Sequence, residues 1–178
     1  ALRDMANPNA TRDPDCYEGT HWKAVKGCVP TGGDTGNDWC GVHSNSGVGN
    51  FWFYLLTDGG NGRNDKNNNY SVTGLGVTKS AKIAYKALST YMNSTTDYKG
   101  ARIATLQAAE DLYGKKSNEY KQVCNAWYAV NVGEKCCPDS MELEFKNTDP
   151  LCHDSKDGKI ELTIKKAKGP FTYEWYKN

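Results

Sequence analysis

The 178-residue sequence has no long apolar segment, no strong charge bias and no basic, apolar leader at its start. Its longest purely apolar run, Phe51 to Leu56, is far shorter than the roughly 20 residues needed to cross a bilayer. Lysine and arginine total 22 against 21 aspartates and glutamates, so the composition does not favour a nucleic-acid partner. We therefore predict neither a membrane span nor a nucleic-acid-binding surface.

The cysteine and histidine spacings of structural zinc sites are also missing. No CxxC pair occurs, and the three histidines are scattered at positions 21, 43 and 153. The seven cysteines, at 16, 28, 40, 124, 136, 137 and 152, favour disulfides in an oxidising compartment over buried free thiols. Because seven is odd, at least one thiol is free or pairs with a group outside this sequence.

Residues 1–46 are rich in Gly, Pro, Asn, Asp and Thr and show no sustained periodicity. This composition predicts a long loop, and ordered loops of such length usually carry function. The apolar run that follows predicts a helix from about Ser46 to Gly59, although a buried strand fits the same run. A polar loop over 58–69 and short extended segments around Val72 and Leu75 are expected next.

Three further helices with short connections are indicated, which predicts a helical bundle. The first has Thr78 as its candidate N-cap. The second begins near Asp97 and ends at Gly114. The third begins at Ser117 and ends before Gly133. The apolar faces expected to form the core are, in order, Ala81, Ala84, Tyr85, Leu88, Tyr91 and Met92; Ala101, Ala104, Ala108 and Leu112; and Tyr120, Val123, Cys124 and Trp127.

Beyond Gly133 the periodicity changes from helical to alternating. The segments MELEF, IELTI and FTYEWY alternate apolar and polar residues and are separated by turn-forming sequences. Three antiparallel strands are too few for a closed sandwich or barrel, so this β unit is expected to be truncated. We therefore divide the chain into a mainly helical domain, residues 1–133, and a partial β-sandwich domain, residues 134–178.

The densest polar cluster of the long loop lies between Asp38 and Gly47, in the segment DWCGVHSNSG. A carboxylate five residues before His43 can orient the imidazole and favour its protonated form. Such a histidine can donate to a developing oxyanion or to a leaving group. The spacing alone also fits a surface histidine that lies beside an aspartate by chance, so both interpretations remain open at this point.

The order of several motifs resembles the thermolysin-like neutral zinc metallopeptidases. The motifs are ALRDMANP, DPD at 13–15, D-x-x-G-V-H-x-N-S-G at 38–47, NFWFYLL, VTGLGVTKSAKIAYKAL, ARIATLQAAEDLYG and NAWYAVNVG. The resemblance covers roughly residues 1–133 and is highly specific because the motifs keep the family's order. It implies a mainly α fold, with a long active-site loop before a bundle of four to five helices. A small, truncated antiparallel β segment would follow at the C-terminus.

The resemblance implies roles for four residues. His43 matches the histidine that stabilises, and can protonate, the tetrahedral intermediate, and Asp38 matches the acid that orients it. Arg3 matches the arginine that binds a substrate carbonyl, and Leu2 matches a wall of the apolar pocket for the residue after the scissile bond. The chemistry agrees, because a guanidinium offers fixed donors and leucine suits a hydrophobic pocket. An ion pair for Arg3 and a core position for Leu2 are the structural alternatives.

Two features depart from the family pattern. The stretch between DPD and Asp38 is longer than usual and carries Cys28, and Trp39 and Cys40 stand where the family commonly has Asn-Gly. A disulfide from Cys40 could fix the loop, or the substitutions could shift the site. Because Asp38 and His43 keep their spacing, we expect the geometry to survive.

The zinc-binding motif of the family, H-E-x-x-H, is absent from the sequence, as are the calcium-binding acids expected before Arg3. The segment that begins at His153 has the wrong first residue for a calcium loop. The resemblance thus implies zinc, and also calcium, in the parent enzyme. No metal ligand is predicted in this chain, which is expected to be inactive by itself.

The first functional hypothesis is the C-terminal half of a secreted zinc endopeptidase that cleaves before bulky apolar residues. Its partners would be peptide or protein substrates and the N-terminal, zinc-binding half of the same protein. The tail TDPLCHDSKDGKIELTIKKAKGPFTYEWY resembles the start of β-sandwich repeats in bacterial surface adhesins. The alternative is therefore a non-catalytic surface or binding module that inherited the helical fold. Both hypotheses imply a secreted or cell-surface protein.

Overall fold

A computed structural model of the chain describes residues 3–29, 35–136, 142–149 and 157–165. The chain divides into two compact units, Ala1–Cys136 and Cys137–Asn178. None of the helices in the described ranges combines the length and the apolarity that a membrane span requires. The elements are η1 (a 3₁₀ helix, Pro8–Thr11), α1 (a single left-handed turn, Asp38–Gly41), α2 (Ser46–Asp58), β1 (Gly60–Arg63), β2 (Asn69–Val72), α3 (Val77–Thr90), α4 (Tyr98–Tyr113), α5 (Asn118–Ala129), β3 (Glu142–Thr148) and β4 (Lys159–Lys165).

The predicted mainly α fold is confirmed, and side-chain caps mark the starts of α4 and α5. Asp97 and Ser117 each accept the backbone N–H of the third residue that follows, at 2.8 and 3.1 Å, because the first N–H groups of a helix have no partner within it. Helix α4 ends where Gly114 takes a φ of 88°. The predicted N-cap of α3 is wrong, since Gly76 occupies that position instead of Thr78.

The predicted core face of α3 is also largely wrong. The buried residues of this helix are Ser80, Ile83 and Ala87. Tyr85 and Leu88, which were expected inside, are 73% and 65% exposed. Helix α3 contacts α2 and α4 through the narrower stripe of smaller side chains, so the largest apolar residues did not mark the buried face.

The core of the first unit lies among α2, α4 and α5. Trp52 of α2 stacks on Trp127 of α5, with ring centroids 4.6 Å apart. The Trp127 indole N–H donates to Thr105 Oγ1 on α4 at 2.7 Å, which satisfies a polar group in the interior. Small residues such as Ala104 and Ala108 on α4 are buried, as the sequence predicted, whereas Leu112 is exposed.

Strands β1 and β2 form an antiparallel hairpin, with pairs running from Gly60 opposite Val72 to Arg63 opposite Asn69. The predicted strand around Val72 is confirmed, whereas Leu75 lies in the connection to α3. The expectation of a loop throughout 58–69 is wrong, because β1 lies within it. Its sequence, GNGR, carries no alternating apolar pattern, so only the backbone pairing defines it.

The second unit contains an antiparallel pair formed by β3 and β4. The register runs from Glu142 opposite Lys165 to Thr148 opposite Lys159, which confirms the strands predicted from MELEF and IELTI. The third predicted strand, FTYEWY, lies outside the described residues.

Two disulfides and one free cysteine are found among the described residues. Cys28 bonds Cys40, with Cα atoms 5.7 Å apart, and Cys124 bonds Cys136, with Cα atoms 5.6 Å apart. Cys16 is free and buried. The sequence left the connectivity open, and the first of these bonds fixes the loop that carries His43.

Candidate active site

The candidate site lies on a turn whose backbone is unusual for three successive residues. Asp38, Trp39 and Cys40 have φ values of 55°, 48° and 67°. Residues other than glycine rarely adopt this left-handed backbone conformation. Each left-handed residue of this kind costs about 1–2 kcal/mol. At Gly41 a Cβ atom would lie 2.2 Å from Asn45 Nδ2, so the loop leaves no room for a side chain there. Surrounding contacts must therefore hold this turn in place.

Asp38 and His43 are joined by two sets of hydrogen bonds. Asp38 Oδ1 lies 2.7 Å from His43 Nδ1. Asp38 Oδ2 accepts the backbone N–H groups of His43 and Ser44 at 3.0 and 2.7 Å. The His43 side chain is 64% exposed, whereas that of Asp38 is 17% exposed. The carboxylate thus closes the loop from inside and holds an imidazole that faces solvent.

Hydrogen bonds to Asp38 together affect the pKa of its carboxyl group more strongly than burial does. Burial by itself would raise the pKa of this carboxyl group. The hydrogen bonds from Ser44 and His43 outweigh that effect and hold the pKa of Asp38 well below its usual range. Because an ionised carboxylate only accepts hydrogen bonds, His43 Nδ1 carries a proton in this pair. The other ring nitrogen, Nε2, is left as the atom that can meet a ligand.

Asn45 anchors the loop to the rest of the fold, and the sequence interpretation had not singled it out. Its buried side chain accepts from Lys23 N at 2.9 Å and donates to Lys23 O at 2.9 Å. Its backbone carbonyl accepts from the Tyr98 hydroxyl, at the start of α4, at 2.7 Å. The signal that could have revealed this role is an asparagine two residues after His43 at the start of an apolar helix.

Arg3 lies against the same loop. Its Nη1 donates to the backbone carbonyl of His43 at 2.8 Å and to Ser46 Oγ, and Ser46 Oγ itself donates to the His43 carbonyl at 2.6 Å. The structure therefore brings together three of the four site residues singled out from the sequence: Arg3, Asp38 and His43. The fourth, Leu2, lies outside the described residues.

Trp39 flanks the imidazole. Its ring meets that of His43 edge to face, with centroids 6.0 Å apart. Among the described residues, no group of three or more histidine, cysteine, aspartate or glutamate side chains surrounds His43 in a way that could hold a metal ion. The site therefore presents an oriented imidazole and a guanidinium beside an aromatic surface, without metal ligands of its own.

Comparisons with known families match both parts of the chain. Residues 1–132 match the family described as thermolysin metallopeptidase, alpha-helical domain. Residues 146–178 match a second family, the SprB repeat. These matches confirm both resemblances stated for the sequence, that of the helical part and that of the tail.

Curated relatives resemble the chain over its helical part. A thermolysin of Alicyclobacillus acidocaldarius subsp. acidocaldarius is 40% identical over 132 residues, which cover 74% of this chain and 21% of that protein. A transglutaminase-activating metalloprotease of Streptomyces mobaraensis is 46% identical over 102 residues, covering 53% of this chain and 13% of that protein. A bacillolysin of Bacillus cereus is 37% identical over 132 residues, 74% of this chain and 20% of that protein. The chain thus spans about a fifth or less of these relatives.

Proposed function

The chain belongs to the thermolysin metallopeptidases through their α-helical domain, and we propose that it forms one side of a peptide-cleaving site. In this proposal His43 stabilises the transition state, Asp38 orients His43, and Arg3 binds a substrate carbonyl. The observation that carries the proposal is the double attachment of His43 to Asp38, through the ring and through the backbone. A histidine that lies beside an aspartate by chance is not expected to make both the ring contact and the backbone contact.

The imidazole of His43 can act through Nε2. When the ring is protonated, Nε2–H donates a hydrogen bond to the oxyanion that develops on the substrate carbonyl, or passes its proton to the departing amine. Asp38 orients the ring for this role, because its carboxylate lies 2.7 Å from Nδ1 and leaves Nε2 facing outward. The exposure of the His43 side chain leaves Nε2 accessible to a substrate.

Arg3 combines a positioning role with substrate binding. Within the described residues only Nη1 of its guanidinium makes hydrogen bonds, and these hold the His43 carbonyl and Ser46. The other nitrogens of the planar group can then donate to a substrate carbonyl. Leu2 would contribute an apolar wall beside Arg3 for a bulky side chain after the scissile bond. This pair gives the proposed preference for cleavage before apolar residues.

The zinc ion of the family would come from outside these residues. The family is zinc- and calcium-dependent in general, yet the sequence has no H-E-x-x-H, and in the described part of the chain His43 belongs to no group of three or more possible metal ligands. We propose that a zinc-binding N-terminal half supplies the ligands and that this chain alone is inactive. When bound, zinc supplies Lewis-acid polarisation of the carbonyl and activation of water.

The test of this proposal is His43→Ala in the complete enzyme. We expect kcat to fall by about 10²–10³-fold, the usual loss when one oxyanion donor is removed. Zinc content should remain that of the wild type, because His43 is not a ligand. His21→Ala is the matched control and should leave kcat nearly unchanged. A wild-type kcat in His43→Ala would refute the assignment.

Two further parts of the proposal concern organisation and location. We propose that residues 1–133 form the peptidase portion and residues 134–178 part of an accessory β domain, which the SprB repeat match supports. The two disulfides support secretion or display at the cell surface, where such bonds persist.

The second candidate function is a non-catalytic surface or binding module. The observations that favour it are the absence of H-E-x-x-H from the sequence and the repeat match of the tail. Assaying the full-length gene product for peptide hydrolysis separates the two. Hydrolysis that is abolished by a chelator and restored by zinc rules out the binding module, and lack of any hydrolysis by the zinc-loaded protein rules out the enzyme.

A further inference from the structure

Three potential metal ligands meet in the first unit and take no part in the proposed peptide cleavage. The ligand atoms of Asp15, Cys16 and Asp65 all lie within 4.8 Å of one another. Asp15 and Cys16 belong to the long loop after η1, and Asp65 lies in the connection between β1 and β2. Cys16 is fully buried, so its thiol faces the protein interior.

Two buried oxygen atoms at this cluster lack hydrogen-bond partners in the described part of the chain. They are Asp15 Oδ1 and Asn9 Oδ1. The amide nitrogen of Asn9 lies 3.4 Å from Asp65 Oδ1, which places the unpaired Asn9 oxygen beside the cluster. Buried oxygens without a donor are uncommon in native proteins, and an ion that they coordinate is one of the few explanations.

Lysine and arginine side chains do not compensate the two carboxylates in the described part of the chain, although His21 lies near enough to act on Asp65. Among the described residues, neither Asp15 nor Asp65 forms an ion pair with a lysine or arginine. Asp65 Oδ2 accepts the backbone N–H of Thr20 at 2.9 Å. A Cβ at Gly19 would lie 2.9 Å from Cys16 Sγ and 3.2 Å from Asp65 Oδ2. A residue other than glycine at this position would therefore crowd both of these potential ligand atoms.

The electrostatics of the cluster follow from burial and from the closeness of the two acidic side chains to the thiol. Burial, together with the hydrogen bond and charge of Asp15, raises the pKa of Cys16 to about 12. Burial also raises the pKa of Asp15. The pKa of Asp65 is lowered in spite of burial, because Thr20 and Asn9 donate hydrogen bonds to it. A divalent ion would compensate the charges that now oppose ionisation of the thiol.

We propose that Asp15, Cys16 and Asp65 bind a divalent transition-metal ion such as Zn²⁺, with Asn9 Oδ1 as a fourth ligand. A thiolate beside carboxylates suits an ion of borderline softness and does not suit Ca²⁺, which takes oxygen ligands only. Ligands at about 2.0–2.3 Å from a tetrahedral zinc lie about 3.5 Å apart, so the cluster must close by roughly 1 Å. On binding, the Cys16 thiol releases its proton to solvent and its sulfur forms the bond to the metal.

The test uses the whole 178-residue chain, which contains no H-E-x-x-H to compete for metal. Chelator-treated protein is titrated with Co²⁺ or Cd²⁺ alone, and the ultraviolet thiolate-to-metal charge-transfer band is recorded. Zn²⁺ affinity is then measured by competition with a chromophoric chelator. The variants are Cys16→Ser and Asp65→Asn, and the double variant Cys137→Ser/Cys152→Ser is the matched control for other thiols.

In the wild type and in the double variant, we expect the charge-transfer band to saturate at one metal ion per chain. In Cys16→Ser we expect no band. Asp65→Asn should weaken Zn²⁺ binding by at least about tenfold, a difference of about 1.4 kcal/mol. Far-ultraviolet circular dichroism of each variant shows whether it is folded. A wild-type chain without the band at saturating metal overturns the proposal. A band that persists in Cys16→Ser also overturns it, because the sulfur would then come from another cysteine. The same holds if Co²⁺ gives no band and the chain binds Ca²⁺ equally well with and without Cys16→Ser.

Discussion

Asp38 holds His43 at two points, with Oδ1 lying 2.7 Å from the ring atom Nδ1 and Oδ2 accepting the backbone N–H at 3.0 Å. The ring contact alone would orient the imidazole but leave its backbone free to move. The backbone contact fixes where the residue sits in the loop, and the third hydrogen bond, from Ser44, extends this control to the next residue. One carboxylate therefore sets both the position of the proposed catalytic histidine in the loop and the ring nitrogen that faces outward.

Asp38→Asn should destabilise the 178-residue chain at neutral pH. The amide of the variant has one accepting oxygen in place of two, so either the ring Nδ1–H of His43 or the backbone N–H groups of His43 and Ser44 lose their acceptor. A loss of about 1–3 kcal/mol is expected. The folded pKa of Asp38 lies below that of the unfolded chain, near 3.9. The stabilising contribution is therefore fully present above about pH 4 and lost as the pH falls towards the folded pKa. Thermal unfolding should show a lower Tm for Asp38→Asn than for the wild type at pH 7, and this difference should become smaller below pH 4.

A matched control for this pH dependence is Asp58→Asn. Asp58 is an exposed carboxylate at the end of α2 and makes no hydrogen bond or ion pair within the described residues. Its substitution should change Tm little and should give no comparable narrowing in acid. If the gap for Asp38→Asn were the same at pH 7 and pH 3, the ionised contacts of Asp38 would not be its source.

The sequence predicted the helices of the first unit better than their buried faces. The predicted starts of α4 and α5, near Asp97 and at Ser117, coincide with residues whose side chains cap these helices, whereas the predicted N-cap of α3, Thr78, was wrong. The face of α3 depends on which neighbours pack on it, and exposed Tyr85 and Leu88 show that apolar residues alone did not decide it. The same reasoning explains β1, a strand whose GNGR sequence has no apolar face to detect.

The candidate site was predictable where motifs were local and unpredictable where distant residues meet. The spacing of Asp38 and His43 allowed their contact, and the order of the surrounding motifs favoured it. The hydrogen bonds of Arg3 to the His43 carbonyl and of Tyr98 to Asn45 join residues 40 or more positions apart, and no local pattern encodes them. The pairing of Cys28 with Cys40 was likewise one of several possibilities until the fold placed their Cα atoms 5.7 Å apart.

Arg3→Lys in the complete enzyme should lower kcat/KM by about 10–100-fold, since a charged hydrogen bond is worth about 1.5–3 kcal/mol. Lysine retains the charge but cannot present several fixed donors to the loop and the substrate together. Steady-state kinetics on a peptide substrate would measure the loss. Ser46→Ala is the matched control, because it removes one loop contact of Arg3 and leaves the substrate-facing nitrogens in place. Equal kinetics for Arg3→Lys and the wild type would show that the guanidinium does not bind substrate.

Thr105→Val should destabilise the helical unit because it leaves the buried Trp127 indole N–H without an acceptor. The expected loss is about 1–3 kcal/mol in the free energy of unfolding, measured by urea denaturation. Thr105→Ser keeps the hydroxyl and is the matched control. Adding Trp127→Phe to each variant completes a double-mutant cycle. Because Phe has no N–H to satisfy, the difference in unfolding free energy between the Val and Ser variants should become smaller. Equal stability of the Val and Ser variants would show that this hydrogen bond contributes nothing.

The two disulfides of the first unit allow a matched comparison, because each joins cysteines 12 positions apart. Replacing either pair by serine should cost a similar free energy of unfolding, about 3 kcal/mol for a loop near this length. Their effects on the proposed active site should differ. Cys40 lies in the left-handed turn that begins at Asp38, whereas Cys124 lies on α5.

Cys28→Ser/Cys40→Ser should therefore lower kcat of the complete enzyme by at least about tenfold, equivalent to about 1.4 kcal/mol in the activation barrier. The left-handed residues would relax once the bond that restrains Cys40 is gone, and His43 would lose its fixed position. Cys124→Ser/Cys136→Ser should change kcat little at a temperature where both variants are folded. Hydrogen exchange of the His43 amide should accelerate only in the first variant. Equal losses of kcat in the two variants would mean that the Cys28–Cys40 bond supports general stability and has no special role in positioning His43.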